Sequence, residues 1–265
     1  MNLSFKPLTN KPLVKGKTLL LFDVDGTLTK PIEKIEKEMA AGLESAKKVE
    51  NIFIGTVGGN DYNKEKIQLE DANKFIDYHF CENGLQVYDN AGKLIHQYSL
   101  KEELGEENIK KFINFCLRYM ADLDIPKKRG TFIEYRTGMI NLSPIGRNCT
   151  MEERNEFYEY NLKNKVLVNF REALDDKFGK DLKMKFSIGG QISLDCFPKG
   201  WDKTYCLQYT KDFDNIIFFG DRTSLGGNDF EISRSDKITR AYSVQNPEDT
   251  LKKLNEVLEE IKQIK

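Results

Sequence analysis

The 265-residue sequence predicts an α/β protein, with a parallel-sheet core and an inserted α+β domain that carries an antiparallel sheet. Short apolar strands alternate with helical patterns at the start of the chain. The middle part contains hairpin signals, and the α/β alternation returns after Trp201. We therefore predict a core formed by residues 1–96 and 200–265, of which residues 1–17 are a loose extension. The inserted cap domain covers residues 97–199.

The first third of the chain predicts a β-α-β order. The apolar run Leu19–Phe22 is too short for a helix and is closed by a glycine turn, which indicates a buried strand. A helical pattern over residues 35–49 and an apolar strand at residues 52–57 follow it. A hairpin is then predicted, with strands at residues 86–88 and 94–96.

The middle and the end of the chain predict further elements. After Trp201 we expect a helix, a strand and an amphipathic closing helix. The helices and strands predicted from residue 97 onwards lie at about residues 108–121, 131–135, 139–143, 151–178, 183–188, 191–197, 216–219 and 251–264.

Composition narrows the class of protein. The net charge of −1 argues against nucleic acid or an anionic membrane as the main partner. Five cysteines without a C-x-x-C pair indicate reduced thiols in a cytoplasmic protein, and the apolar run at Leu19 is far too short to span a bilayer. The two histidines lie among strand-like residues, so packing is the expected role of both.

Two carboxylates follow the first predicted strand, in Asp23-Val24-Asp25-Gly26-Thr27. Ligands of parallel sheets bind beyond the carboxyl ends of the strands, and two acids there suit a hard cation and an attack on phosphorus. An EF-hand is excluded, because it needs glycine at the sixth position and glutamate at the twelfth. A plain Asp-rich turn is the alternative that the motif alone leaves open.

A second acidic cluster follows the strand near residue 218. Asp221 is a candidate third carboxylate for a divalent cation, and Asn228 or Asp229 a further ligand or supporting group. For Asp229, a role as a helix N-cap is nearly as plausible as a contact with the cation.

Basic residues complete the candidate site. Lys203 lies between the acidic clusters, where it would balance the carboxylates and a transferring phosphoryl group, although a lysine is usually a solvated surface residue. Arg136, Arg147 and Arg154 offer guanidinium forks that match phosphate oxygens. Ser193 and Asp195 are two apart on a strand and would bind sugar hydroxyls from one face.

An RNA-binding alternative rests on a faint likeness of residues 129–135 to the RNP1 motif. The segment is one residue short and lacks the first aromatic residue of that motif.

These motifs together resemble the haloacid dehalogenase (HAD) superfamily: the Asp-x-Asp-Gly-Thr start, the late lysine and the Gly-Asp…Gly-Asn-Asp cluster. Further segments resemble eukaryotic-type phosphomannomutases, and the likeness covers nearly all of residues 18–250. They are residues 57–61, Glu82-Asn83-Gly84, the run 126–147 and residues 189–193. The resemblance implies a HAD-like Rossmannoid core with an inserted cap.

The resemblance also implies residue roles. Asp23 would be the nucleophile and Asp25 the general acid/base, while Asp23, a backbone carbonyl of Asp25 and Asp221 would hold Mg²⁺. The substrate-binding residues would be Asn60, Arg136, Arg147, Arg154, Ser193, Asp195 and Lys203. Asp236 and Thr239 are the nearest matches to a structural cation site, with spacing one residue longer. Two departures from the family pattern are Ile32, where an arginine is usual, and Asn60 in place of serine.

The implied activity is that of a phosphomannomutase. It would interconvert mannose 6-phosphate and mannose 1-phosphate through an aspartyl phosphate and a hexose 1,6-bisphosphate, with the bisphosphate as activator and mannose 1-phosphate serving GDP-mannose synthesis. A cap-mediated homodimer is implied as well. The alternative is a sugar-phosphate phosphatase on the same fold, which would let water reach the phospho-aspartate.

Overall fold

The computed structural model describes residues 6–264, which form two compact units. The core unit contains the described residues up to Gln97 and from Asp202 onwards, and the inserted unit is Tyr98–Trp201. Within residues 6–264, no helix is both long enough and apolar enough to cross a membrane.

Strands and α-helices are numbered in chain order. They are β1 (Thr18–Phe22), α1 (Lys37–Lys47), β2 (Ile52–Val57), α2 (Tyr62–Leu69), β3 (Tyr78–Cys81), β4 (Gln86–Asp89), β5 (Leu94–Gln97), α3 (Leu100–Leu104), α4 (Glu106–Asp122), β6 (Ile133–Tyr135), β7 (Ile140–Leu142), α5 (Met151–Asn164), α6 (Val166–Phe178), β8 (Met184–Gly189), β9 (Ser193–Pro198), β10 (Asn215–Gly220), β11 (Arg240–Ser243) and α7 (Pro247–Ile264). Short 3₁₀ helices cover Glu70–Phe75, Glu82–Gly84, Lys203–Tyr209 and Ile232–Arg234.

The core unit contains a seven-stranded sheet in the order β11-β10-β1-β2-β3-β4-β5. The first five strands of that order run parallel to one another, whereas β4 is antiparallel to β3 and β5 is antiparallel to β4. The predicted parallel α/β core and its hairpin are therefore confirmed. The chain leaves β1 towards β2 on one side and later returns as β10 on the other, so β1 stands at the point where the strand order reverses.

All five residues of β1 are buried, because both faces of the sheet are covered at this strand. Leu20 and Phe22 join the apolar layer that includes residues of α1 and α7. Leu19 and Leu21 belong to the apolar layer on the opposite face. Alternation of side chains along the strand explains this division. The first residue after this strand, Asp23, therefore lies at the carboxyl edge of a fully packed sheet.

The closing helix α7 is amphipathic, as predicted. Its buried face includes Leu254, Val257, Leu258 and Ile261, which recur at the three- and four-residue spacing of one helix stripe. These side chains lie in the same apolar layer as Phe22. The helix therefore covers one face of the core sheet.

The inserted unit contains a four-stranded antiparallel sheet in the order β6-β7-β9-β8, which confirms the predicted α+β insertion. Helix α4 buries Ile109, Phe112, Cys116 and Met120 on one stripe. The ring of Phe112 stacks on that of Phe186 in β8, with centroids 6.1 Å apart. The helix is thereby fixed on one face of the sheet.

The single helix predicted over residues 151–178 is wrong, because the structure has two helices there. Lys165 adopts a left-handed conformation with φ of 55° and separates α5 from α6. The side chain of Asn161 accepts a hydrogen bond from the backbone N–H of Leu167 at 2.8 Å. An orphan donor at the start of α6 is thus satisfied from the preceding helix.

Further differences concern the core unit. The predicted helix after Trp201 is the 3₁₀ helix Lys203–Tyr209. The prediction gave no helix at α2 and no strand at β11, and at β3 it recognised only strand-like residues around His79. Within the predicted N-terminal extension, the backbone N–H of Lys11 donates to Thr239 and that of Ala241 donates to Thr9, both at 2.8 Å. Residues 1–5 of that extension lie outside the described residues.

All five cysteines are free, and four of them are buried. The four buried cysteines pack as small apolar side chains.

Candidate active site

Three separate segments of the core unit contribute charged side chains to one edge of the sheet. Asp23 follows β1 and Asp221 follows β10, and these strands are parallel neighbours with Phe22 opposite Phe219. Lys203 begins the 3₁₀ helix that precedes β10, where the Asp202 side chain accepts the backbone N–H of Thr204. The carboxyl ends of parallel strands meet at one edge, so the fold itself places these groups together.

Lys203 is the central cation of the cluster. Its side chain is 2% exposed, and Nζ lies 2.6 Å from Oδ1 of Asp23 and 2.6 Å from Oδ1 of Asp229. The backbone N–H of Val24 also donates to Oδ1 of Asp23 at 2.8 Å. One oxygen of Asp23 is thus fixed by two donors.

The cluster contains more negative than positive charge. Burial raises the pKa of Asp23, and the nearby carboxylate of Asp229 adds to this, while Lys203 opposes it. Burial and Asp229 also raise the pKa of Asp221. Burial alone would lower the pKa of Lys203, but the two carboxylates around it raise the pKa above its usual value. Lysine therefore stays charged, and the site favours an additional cation.

Asp23, Asp221 and Asp229 have the geometry of a cation site. One carboxylate oxygen from each lies within 4.8 Å of the others. Oδ1 of Asp221 is buried and has no hydrogen-bond partner among the described residues. A hard cation such as Mg²⁺ prefers carboxylate oxygens and would satisfy this atom. The residues present therefore fit Mg²⁺.

The structure separates the two roles considered for Asp229. Its Oδ1 accepts from Lys203, and its Oδ2 accepts from the backbone N–H of Arg222 at 3.0 Å. The next helix, Ile232–Arg234, has Glu231 as its N-cap. Asp229 therefore belongs to the charged cluster and is not the N-cap of this helix.

Asp25 accepts hydrogen bonds from three donors outside this cluster. Its Oδ1 accepts from Gln68 Nε2 and from the backbone N–H of Ile32, both at 2.8 Å. Its Oδ2 accepts from Asn60 Nδ2 at 3.2 Å. The carboxylate is thus oriented by three segments of the chain.

The turn after β1 depends on Gly26. Its φ is +81°, and a Cβ at this position would overlap the carboxylate of Asp221. Only glycine combines this conformation with such a close approach. The neighbouring backbone N–H groups of Leu28 and Thr29 both donate to the carbonyl of Val24, which keeps the turn compact.

A cavity of about 270 Å³ adjoins these groups. It is lined mainly by polar residues and glycines, so it suits a polar ligand better than an apolar one. The lining residues are Asp23, Val24, Asp25, Gly58, Gly59, Asn60, Glu65, Arg222 and Asn228.

The inserted unit carries its own charged cluster on the antiparallel sheet. Arg136 Nη2 and Arg147 Nε lie 2.7 and 3.1 Å from Oε2 of Glu134. Arg147 Nη1 also donates to Asn141 Oδ1 at 2.8 Å, and Asn141 Nδ2 donates to Asp195 Oδ1 at 2.7 Å. Glu134, Asn141 and Asp195 form a row across the sheet. The strand register explains this row, because Asn141 is paired with Glu134 on one side and with Asp195 on the other.

Two predicted substrate-binding residues lie near this row in sequence. Ser193 is buried and shares a strand face with Asp195. Arg154 lies in α5, and its Nε is buried without a hydrogen-bond partner among the described residues. An unsatisfied guanidinium N–H at this depth is suited to an anionic ligand.

The remaining predicted residues lie elsewhere. Asp236 is exposed and pairs with Lys6, while Thr239 Oγ1 accepts the backbone N–H of Ile216 at 3.1 Å. Sequence reasoning missed Gln68, Glu134 and Asn141. Asn141 lies on the strand predicted at residues 139–143, but the pairing of that strand with the strand of Asp195 is seen only in the structure. Gln68 lies in a short helix without a motif, so no sequence signal marked it.

The fold is that of the haloacid dehalogenase-like proteins. A haloacid dehalogenase-like hydrolase from Bacteroides thetaiotaomicron superposes with a TM-score of 0.57 at 16% identity, over 94% of this chain and 100% of that one. An IMP-nucleotidase from Plasmodium falciparum superposes with a TM-score of 0.59 at 17% identity, over 92% of this chain and 69% of that one. At these identities the likeness shows the fold.

Within that class, the chain belongs to the eukaryotic phosphomannomutase family, whose model matches residues 39–260. Phosphomannomutase 2 of Dictyostelium discoideum is 52% identical over 242 residues, which are 90% of this chain and 96% of the relative. A phosphomannomutase of Nicotiana benthamiana is 51% identical over 243 residues, or 91% and 94% of the two chains. The chain is therefore an enzyme of this family, and the resemblance inferred from its motifs is confirmed.

Proposed function

We propose that this enzyme interconverts mannose 6-phosphate and mannose 1-phosphate through a hexose 1,6-bisphosphate. The observation that carries the proposal is the identity of about half over nine tenths of the chain, inserted unit included. The charged groups of the core unit supply what phosphoryl transfer needs, which is a nucleophile, a proton carrier and positive charge.

Asp23 is the proposed nucleophile. A carboxylate oxygen attacks phosphorus, the bond from phosphorus to the sugar or donor oxygen breaks, and an aspartyl phosphate forms. Lys203 keeps Asp23 in place and offsets the negative charge of the transferring group. In the return step the phosphoryl group passes to the other hydroxyl of the sugar.

Asp25 is the proposed general acid/base. It donates a proton to the sugar oxygen that leaves phosphorus, and it accepts the proton of the hydroxyl that attacks the aspartyl phosphate. Its contacts with Asn60, Gln68 and the backbone of Ile32 fix the direction of the carboxylate. Ile32 stands where the family usually has arginine, so a basic side chain is missing there. The backbone N–H of Ile32 still orients Asp25.

Mg²⁺ is the proposed cofactor. When bound by Asp23, Asp221 and Asp229, with the predicted backbone carbonyl of Asp25, it would neutralise negative charge on the phosphoryl oxygens. Asp236 and Thr239 remain the proposed residues of a second, structural cation site.

Residues of the inserted unit are proposed to bind the phosphate that is not being transferred, and Asn60 of the core unit to bind the substrate as well. Arg136, Arg147 and Arg154 provide guanidinium donors, and Ser193 and Asp195 provide hydrogen bonds for sugar hydroxyls. A second phosphate grip suits a mutase, whose intermediate carries two phosphates. A phosphatase has no need of it.

Further proposals follow from the same reasoning. The hexose 1,6-bisphosphate primes the enzyme as an activator, the product mannose 1-phosphate serves GDP-mannose synthesis, and the enzyme acts in the cytoplasm. The inserted unit forms a homodimer. It exposes Leu117, and an apolar hollow of about 220 Å³ there is lined by Leu117, Met120, Ala121, Lys128 and Phe132.

Phosphorus NMR tests the proposal directly. Mannose 1-phosphate is supplied with Mg²⁺, with and without a hexose 1,6-bisphosphate, and the products are followed over time. We expect mannose 6-phosphate without stoichiometric free phosphate. Free phosphate as the main product would replace the mutase with the phosphatase alternative. An Asp23→Asn variant with full turnover would overturn the nucleophile assignment.

A further inference from the structure

Two arginines of the inserted unit share one carboxylate. Arg136 comes directly after β6 and Arg147 lies in the loop after β7, and both contact the same oxygen, Oε2 of Glu134, at 2.7 and 3.1 Å. The Glu134 side chain is 38% exposed and the two arginines are 37% and 35% exposed. The ion pairs therefore lie at the surface of the sheet, where a dissolved anion has access.

Glu134 uses the same donors that a phosphate would use. A carboxylate and a phosphate are both anions that accept charge-assisted hydrogen bonds from guanidinium groups. Arg147 Nη1 is already directed to Asn141, and Arg136 Nη1 lies 3.7 Å from the sulfur of Met139. The charge of both arginines is therefore partly neutralised, and some of their N–H donors are already occupied, before a phosphate binds.

We propose that Glu134 limits the affinity of the inserted unit for phosphate by competing for Arg136 and Arg147. The inference rests on the proposed function, in which these arginines bind the phosphate that is not being transferred. A mutase must release its bisphosphate intermediate from these arginines and take it back by the other phosphate. Binding that is too tight would stabilise the bound ground state and slow this exchange. Glu134 is thus a residue that sets affinity and does not touch the reacting atoms.

Electrostatics gives the size of the expected effect. A phosphate held by the same two guanidinium groups would lie about 6–8 Å from the Glu134 carboxylate, given ordinary hydrogen-bond lengths. Removal of one negative charge at that distance from a phosphate dianion strengthens binding roughly 3- to 10-fold in a well-solvated site. Loss of the ion pairs that orient the arginines would act in the opposite direction.

The test uses the full-length protein and the variant Glu134→Gln. Mannose 1-phosphate binding is measured by calorimetry with Mg²⁺ chelated, so that phosphoryl transfer does not interfere. Glu156→Gln is the matched control, because Glu156 also lies in the inserted unit and pairs with a basic residue, Lys127, at an exposed position. We expect roughly 3- to 10-fold tighter binding for Glu134→Gln and no change for Glu156→Gln. Glu134→Asp keeps the charge and is expected to bind like the unmodified protein.

Kinetics with Mg²⁺ supplies a second readout. For Glu134→Gln we expect a lower KM for mannose 1-phosphate with no gain in kcat, since the stronger interaction is made in the ground state. Unchanged or weaker binding would overturn the proposal and leave Glu134 as a positioning residue for the arginines, with the mutase proposal intact. Release of free phosphate as the main product would overturn the proposed function, while the binding ratio would still decide whether Glu134 competes with the ligand.

Discussion

At the scale of single residues, Lys203 determines the charge of the core cluster. Its ammonium group is almost fully buried and is shared by Asp23 and Asp229. A buried ion pair that loses one partner leaves an unpaired charge in a poorly solvated place, and this is more costly than the absence of the whole pair.

Lys203→Met is expected to lower both stability and activity. Without the ammonium group, Asp23 and Asp229 repel each other, and the free energy of unfolding should fall by about 3 kcal/mol. Urea denaturation measures this change, and phosphorus NMR measures the loss of mannose phosphate turnover. Lys237→Met, at an exposed position, is the control and should leave both unchanged. A Lys203→Met protein with normal turnover would contradict the charge-balancing role.

Gln68 is expected to act on catalysis through Asp25. Gln68→Leu removes the 2.8 Å hydrogen bond to the Asp25 carboxylate while keeping an apolar side chain of similar size. Because this hydrogen bond orients Asp25, its loss should lower kcat roughly tenfold and change the pH–rate profile. Gln208→Leu, at an exposed position, is the control. Equal kinetics for the two variants would show that Gln68 does not position Asp25.

Residue-scale prediction succeeds where a side chain follows a recognisable strand. Asp23 and Asp221 each come directly after an apolar run, and this alone predicts their place at one edge of a parallel sheet. The contact between Lys203 and Asp229 depends on how a glycine-rich loop folds back, and the contact between Gln68 and Asp25 depends on the placement of α2. Neither is encoded by local spacing.

At the scale of elements, the turn after β1 is the feature most dependent on one residue. Gly26 has a positive φ and passes close to the Asp221 carboxylate. Gly226, in the loop after β10, has a similar φ of +86° but has nothing within 4 Å of the place where a Cβ would stand. Substitutions at the two positions can therefore be compared to separate the effect of backbone strain from that of steric overlap.

Gly26→Ala is expected to be more damaging than Gly226→Ala. The positive φ alone should cost roughly 1–2 kcal/mol in each variant. In Gly26→Ala the methyl group must also displace Asp221, so we expect a larger loss of stability and most of the activity to be lost. Thermal unfolding and turnover of the two variants are compared side by side. Equal losses would mean that Asp221 moves aside without cost.

Helices α5 and α6 illustrate what the sequence pattern leaves undetermined. The strands β1 and β2 are bounded by turn residues, and their predicted limits agree with the structure within one residue. No glycine or proline marks the break between α5 and α6. The residue that adopts the left-handed conformation there is a lysine, Lys165. Asn161 stabilises the break, but asparagine within a helical pattern is not by itself a stop signal.

At the scale of the whole molecule, three carboxylates cluster at the proposed active site and Lys203 pairs with two of them, so cation binding should couple to stability. A ligand that binds only the folded state raises the apparent stability in proportion to its concentration relative to its Kd. Because burial raises the pKa values of Asp23 and Asp221, protons compete with a cation for these groups.

Mg²⁺ is therefore expected to raise the thermal unfolding midpoint more at pH 8 than at pH 5. Without the cation, a carboxyl group whose pKa is higher in the folded than in the unfolded chain contributes stability that declines as pH rises through its folded pKa. Added Mg²⁺ should offset this decline. Differential scanning calorimetry with and without EDTA measures both effects.

Two variants decide where the cation acts. Asp221→Asn should abolish most of the Mg²⁺-dependent increase in the unfolding midpoint, because it removes one of the three carboxylates. Asp236→Asn, on the exposed segment paired with Lys6, should keep it. The reverse result would place the stabilising cation near Asp236 and Thr239.

The position of β1 in the sheet has a consequence for biosynthesis. Its two neighbours are β2, which follows soon after it, and β10, whose Asn215 pairs with Thr18. On the ribosome, β1 is therefore made long before its second neighbour, and an apolar strand edge stays open while the whole inserted unit is translated. A nascent chain in this state is exposed to edge-to-edge aggregation until β10 has been made. Truncation before β10 should yield insoluble protein, and slow translation beyond Trp201 should lower the yield of active enzyme.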